Sequence, residues 1–184
     1  MSFKKWIFLS LFLFVAGLLW GLATPIDTSG LLAEDVAALE ELAAFLAPLP
    51  QQSLFTFIFL KNVLAIAVSF AFSPFFYLAP VMALILNGGI LGVISILVIQ
   101  EKSLGFLLAG LVPHGILEIP AFIIAQAAAF SFGTATMLAV LKKEKRKLLI
   151  PNLRQNSRYL AISVALLLVA AIIETYLTPL FLAG

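Results

Sequence analysis

The sequence predicts an all-α fold: a polytopic transmembrane helix bundle with about five crossings and a re-entrant or broken helix near Pro113. Three observations predict it. The 184 residues are 63% hydrophobic and 11% charged, with a mean hydropathy of +1.16, whereas a soluble domain is about 45–50% apolar and about a quarter charged. The apolar residues fall into runs of roughly 20, the length of one helical crossing. Short polar or basic turns separate those runs and leave no stretch for a water-soluble domain, so residues 1–184 read as a single transmembrane domain.

The first run, Trp6 to Ala23, follows Lys4 and Lys5 and would reach about 27 Å as a helix, enough to cross. Its basic start and the small-residue ending Gly21-Leu22-Ala23 also fit a cleavable signal peptide; the expectation is a retained first crossing. Residues 24–50 carry Asp27, Glu34, Asp35, Glu40 and Glu41 among Leu and Ala, with no basic residue. They are expected to form an extracytoplasmic, acidic, amphipathic helical loop, capped by the hydroxyl of Thr28 or Ser29 and ended by Pro48 and Pro50. A second crossing, Leu54 to Phe72, turns at Ser73-Pro74 into a third, Phe75 to Ile99, making a helical hairpin. Within the third, Gly88, Gly89 and Gly92 weaken the helix and let another backbone approach, so a kink or a packing seam is expected. After Gln100-Glu101-Lys102-Ser103, only nine residues precede Pro113-His114-Gly115, too few to cross, and this stretch is expected to dip into the bilayer and return. Ile116 to Leu141 completes the fourth crossing, with Ala121, Ala125 and Ala129 spaced as a helix-packing seam. Residues 142–158 form a basic cytoplasmic loop, and Tyr159 to Leu177 is the last crossing.

Lys and Arg in short loops stay cytoplasmic. With the dip counted as non-crossing, nine of the 11 basic residues lie inside, and only Lys61 and Lys102 fall near the outer face. A sixth full crossing would split them poorly. The chain is therefore expected to be a multi-pass cell-membrane protein with its amino terminus cytoplasmic and its carboxyl terminus extracytoplasmic. The Lys142 to Lys147 cluster reads as this topology signal, with a surface for anionic lipid as the alternative. A net charge of +2 is too small to point to nucleic acid, and the absence of cysteine excludes disulfides, iron–sulfur clusters and thiolate metal sites.

Ionisable groups at membrane depth are costly because hydrocarbon cannot solvate them, so they are the first candidates for function. The clearest element is Pro113-His114-Gly115-Ile116-Leu117-Glu118-Ile119-Pro120, where His114 and Glu118 lie four apart and share a face if the segment is helical. Two readings stand. Both side chains are competent ligands for a divalent metal ion such as zinc, the one cofactor the sequence suggests, with the set completed by Asn62, Asn87, Glu174 or a second subunit. Alternatively, His114 and Glu118 hydrogen-bond each other and the amides freed by a broken helix. Asn62 and Asn87, on antiparallel neighbours, are expected to bring their amides together in an interhelical hydrogen bond. Glu174, near the outer end of the last crossing, is open to both a solvated and a paired role. Catalysis is not expected. A single histidine cannot make the zinc-protease pair, and the Asp residues, Asp27 and Asp35, sit in the outer loop, away from any serine–histidine arrangement.

The order of Phe59-Leu60-Lys61-Asn62, Asn87-Gly88-Gly89-Ile90-Leu91-Gly92 and Pro113 through Ala121 resembles the stage II sporulation protein M family of bacterial and archaeal membrane proteins. The resemblance covers roughly Leu54 to Leu177, and Pro-His-Gly-x-x-Glu is its most specific part. Its signature positions here are Asn62, Asn87, Gly88, Gly92, Pro113, His114, Gly115, Glu118 and Ala121. The resemblance implies a membrane protein without an assigned enzymatic activity; in spore formers the namesake works beside cell-wall hydrolases as an anchor or scaffold. Two function classes follow. One is a membrane scaffold for other membrane or envelope proteins, with glycine pairs and alanine seams that also suit a homodimer. The other is a transporter, channel or intramembrane metal-binding protein built on the His114/Glu118 element, because discontinuous helices of this kind recur at transport sites.

Overall fold

The computed structural model describes residues 2–24, 33–75 and 77–182. Asp27 and the expected caps Thr28 and Ser29 lie outside the described residues. Helix α1 spans Phe3–Ala23, α2 Ala33–Leu46, α3 Gln51–Phe72, α4 Leu78–Glu101 and α5 Leu104–Leu141. A 3₁₀ segment, Lys143–Leu148, leads into α6 (Leu149–Ile172), which continues through a π turn, Ile173–Leu177, into α7 (Thr178–Leu182). Among the described residues every regular element is helical, as lipid demands of an open-chain fold whose backbone must satisfy itself. Five helical stretches are long and apolar enough to cross a membrane, the last running from Lys143 to Leu182. Phe8, Phe12, Leu64, Ile116 and Leu180 project outward, the faces that such a bundle leaves to acyl chains.

The glycine run of α4 is a packing seam, and α4 continues as one helix through it. Its partner is α1, not the hairpin neighbour α3. Gly17 and Gly21, four apart on α1, meet the backbones of Ile85 and Gly89, while Gly88 meets the Phe14 carbonyl oxygen. A methyl at Gly92 would sit 2.5 Å from the Leu18 carbonyl oxygen and 2.7 Å from the Leu22 nitrogen. The contact is backbone on backbone, the close approach that small residues four apart allow. Because Gly17 pairs with Ile85 and Gly21 with Gly89, the two helices run in the same direction.

Two expectations about helix ends are corrected. No break occurs at Pro113: α5 continues through both Pro113 and Pro120 for 38 residues, about 57 Å. Each proline withdraws one amide, whereas leaving the helix in lipid would strand several backbone groups, so continuation is the cheaper course. The dip is absent, yet the number of candidate crossings is still five, because the nine residues extend the fourth helix instead of forming their own element. Nor is 142–158 all loop. Helix α6 begins at Leu149, ten residues before the apolar run, with Asn156 buried toward α5 and Arg154 and Arg158 exposed.

Helix α5 is the central element. Ala121, Ala125 and Ala129 are buried as the seam pattern required, and α1, α3, α4 and α6 all pack on α5. Ser69 donates to Gln126 between α3 and α5, and the Asn156 amide donates to Ser131 Oγ at 3.2 Å between α6 and α5. Around the hairpin turn, Trp6 stacks on Phe130 at 5.7 Å, and Phe3 stacks on Tyr159 at 3.9 Å. Tyr77, which enters α4 in the left-handed region (φ 57°), is held by the 3.0 Å contact of its hydroxyl with Thr134. Alanine at Gly21 or Gly88 is expected to destabilise the bundle by about 1–3 kcal/mol through overpacking. Thermal unfolding in detergent reads this, with Gly105→Ala, whose nearest neighbour would be 3.7 Å away, unchanged.

Candidate functional site

The polar residues singled out by the sequence converge in the half of the bundle away from the hairpin turn. His114 and Glu118 lie one turn apart on α5, and their Nε2 and Oε2 atoms are 3.9 Å apart. Their side chains are 12% and 28% exposed, so neither is freely solvated. On α3, the Asn62 amide donates to Glu118 Oε1 at 3.0 Å and fixes that carboxylate. From the end of the last crossing, Thr178 Oγ1 lies 3.5 Å from His114 Nδ1.

Glu174 completes the cluster. It sits in the π turn, where the extra residue of the widened turn alters the helix register, and such turns recur at functional sites. Of the roles left open for it, the structure gives Glu174 the inward, clustered one. One ligand atom each from His114, Glu118 and Glu174 can be chosen so that all three lie within 4.8 Å of one another. Imidazole nitrogen with two carboxylate oxygens is a donor set suited to a divalent cation, and Asn62 and Thr178 stand where partners that orient such ligands are found. The three face a cavity of about 360 Å³ that also touches Lys61, Asn87 and Phe14. A second cavity, about 530 Å³, lies beyond Lys61 and Glu174 and reaches Leu42 and Leu46 of α2.

Asn62 and Asn87 do not pair. Asn62 is taken by Glu118, and the Asn87 amide donates back to its own helix at Ala83 O, 2.8 Å away, while its side chain borders the 360 Å³ cavity. Lys61 is also differently placed from expectation. It stands midway along α3 rather than near the outer end, and it borders both cavities. A cation in the middle of an apolar run was the signal available for it. Thr178 carried no comparable signal, because only the π turn brings it beside His114.

The family model for stage II sporulation protein M matches residues 10–179. The chain belongs to the stage II sporulation protein M family. An uncharacterized protein of Methanocaldococcus jannaschii is 32% identical over 126 residues, covering 68% of this chain and 71% of that relative. No solved structure matches the chain. The stretches that carried the resemblance to the stage II sporulation protein M family divide into two groups in space. Gly88 and Gly92 make the α1 crossing and Ala121 the core of α5, whereas Asn62, His114 and Glu118 build the polar cluster.

Proposed function

We propose that this stage II sporulation protein M family chain binds a divalent cation inside the membrane, with His114, Glu118 and Glu174 as ligands. The reading rests on one observation: the π turn brings a second carboxylate to the His114/Glu118 pair, within 4.8 Å. Two carboxylates this close in a poorly solvated site repel each other, and a cation between them removes that cost. Imidazole adds a third donor of the type zinc accepts, leaving an open coordination position for water. Such a site serves a transporter, a channel or a metal-dependent membrane protein. Enzymatic catalysis forms no part of this reading.

The purified, detergent-solubilised protein, washed with a mild chelator, is expected to hold about one metal ion per chain by elemental analysis. His114→Ala/Glu118→Ala and Glu174→Gln are each expected to lose it. A metal-free wild type that is no less stable than these variants would overturn the reading.

A second reading, a membrane scaffold or anchor for envelope proteins, is favoured by the separation of charge along the bundle. The Phe3–Tyr159 stack brings the Lys4/Lys5 end of α1 beside Arg154 and Arg158, close to the Lys142–Lys147 run, while Glu34, Asp35, Glu40 and Glu41 belong to α2. On this reading α2 captures a partner, and neutralising these four acids to Asn or Gln abolishes co-purification of cross-linked envelope proteins while the bundle stays folded.

The basic end is assigned to the cytoplasm, which puts the amino terminus inside and the carboxyl terminus outside. The chain has no cysteine, so single-cysteine labelling is free of background. An impermeant thiol reagent is expected to label Gln51→Cys on intact cells and Gln155→Cys only after permeabilisation; the reverse pattern would invert the topology.

A further inference from the structure

An open groove of about 610 Å³ runs along α6 at the basic end of the bundle, lined by none of the residues of the polar cluster. Arg154 and Arg158, one helical turn apart, share it with Gln155 and Tyr159, and Ile150 and Ile162 mark its ends. Asn156 is turned inward and donates to Ser131 of α5, so the groove belongs to the outward face of the helix. Ile150 and Ile162 are 68% and 51% exposed there, and the Tyr159 ring is fixed by its stack on Phe3.

The fold does not use these two arginines as ion-pair partners. Among the described residues the ion pair formed is that of His114 with Glu118. Arg146, by contrast, is spent on the fold: its Nε donates to Ala139 O at 3.2 Å, near the end of α5. Between Glu118 and Glu174 the sequence holds a single acid, Glu144, and it lies outside the groove. The groove therefore offers a ligand two guanidinium forks and no carboxylate. It favours an anion, and it gives a cationic head group nothing to pair with.

Depth decides which anion. Tyr159 to Leu177 rises about 28 Å as a helix, close to the roughly 30 Å of a bilayer's hydrocarbon core. Arg158 directly precedes this run, and Arg154 stands about 6 Å further out. Both guanidinium groups thus fall at the level of the lipid phosphates, with Tyr159 at the boundary that suits its ring. Ile162 lies about 6 Å inward from Arg158, at the level of the first acyl carbons. A soluble anion would use the arginines and leave Ile162 bare, whereas a phospholipid covers both.

We propose that this groove binds an anionic phospholipid of the leaflet at the basic end, with its phosphate on Arg154 and Arg158 and an acyl chain against Ile162. The site is distinct from the Lys142–Lys147 run and independent of the cation-binding reading. A lipid seated there holds the start of α6 at the membrane surface and, through the Phe3–Tyr159 stack, the start of α1 with it.

The test is native mass spectrometry of the full chain, stripped of lipid in detergent and offered equal amounts of phosphatidylglycerol and phosphatidylcholine with matched acyl chains. Wild type is expected to retain phosphatidylglycerol about tenfold over phosphatidylcholine and to melt at a higher temperature with it. Arg154→Gln/Arg158→Gln is expected to lose both the preference and the thermal shift while melting like wild type without lipid. Lys143→Gln/Lys145→Gln removes the same charge from the neighbouring run and is expected to keep both. Glycerol 3-phosphate, which has the phosphate but no chains, is expected to leave the lipid in place at equal concentration; displacement would make the groove a site for soluble phosphates and overturn the proposal. Equal retention of the two lipids by wild type, a preference that survives in the arginine variant, or one lost as fully in the lysine variant would overturn it as well.

Discussion

The crossing of α1 on α4 is the contact on which the other placements depend. Gly17, Gly21, Gly88 and Gly92 bring two backbones together with no side chain between them, so the pair has essentially one register. That register puts Trp6 against Phe130 at one end of the bundle and Phe14 on the wall of the polar cavity further along. It also aims α4. Because Gly88 faces α1, its neighbour Asn87 turns off the seam and borders the cavity, anchored to Ala83 on its own helix.

Polar groups inside the bundle serve two distinct ends. Ser69 with Gln126, Tyr77 with Thr134, and Asn156 with Ser131 join one helix to the next, as expected of uncharged hydrogen bonds in a membrane protein. The His114, Glu118, Glu174 and Lys61 group differs in kind. It gathers four ionisable side chains, and it borders cavities instead of filling a helix interface. Helix cohesion has no need of such a group, which is why the functional reading starts there.

The all-helical class and five candidate crossings were legible because hydropathy and length decide them nearly alone. The α4 seam was legible too, since glycines spaced by three and four residues have few other uses in an apolar helix. The Gly17-x-x-x-Gly21 partner was written as plainly in α1 but was masked by its likeness to a signal-peptide ending. At Pro113 the reading failed for a physical reason. Proline and glycine break helices where water can take up the freed carbonyl, and in lipid the balance tips toward one long continuous helix. His114 and Glu118 were visible on one face, with Asn62, Asn87 and Glu174 named as groups that could complete the set. Which of these converge, and the approach of Thr178, was not visible, because it depends on a single widened turn whose presence no residue pattern announces.

That turn has a mechanical consequence. Between Ile173 and Leu177 the helix holds one residue more than an α-helical ladder requires. Each residue of an α-helix advances the chain by about 100° around its axis. Tightening the turn by one hydrogen-bond step would therefore swing one flank of the helix through about 100° relative to the other. Because Glu174 and Thr178 sit at this turn, its register, set by a single peptide's choice of carbonyl, decides whether they and His114 belong to one site or to two unrelated surfaces.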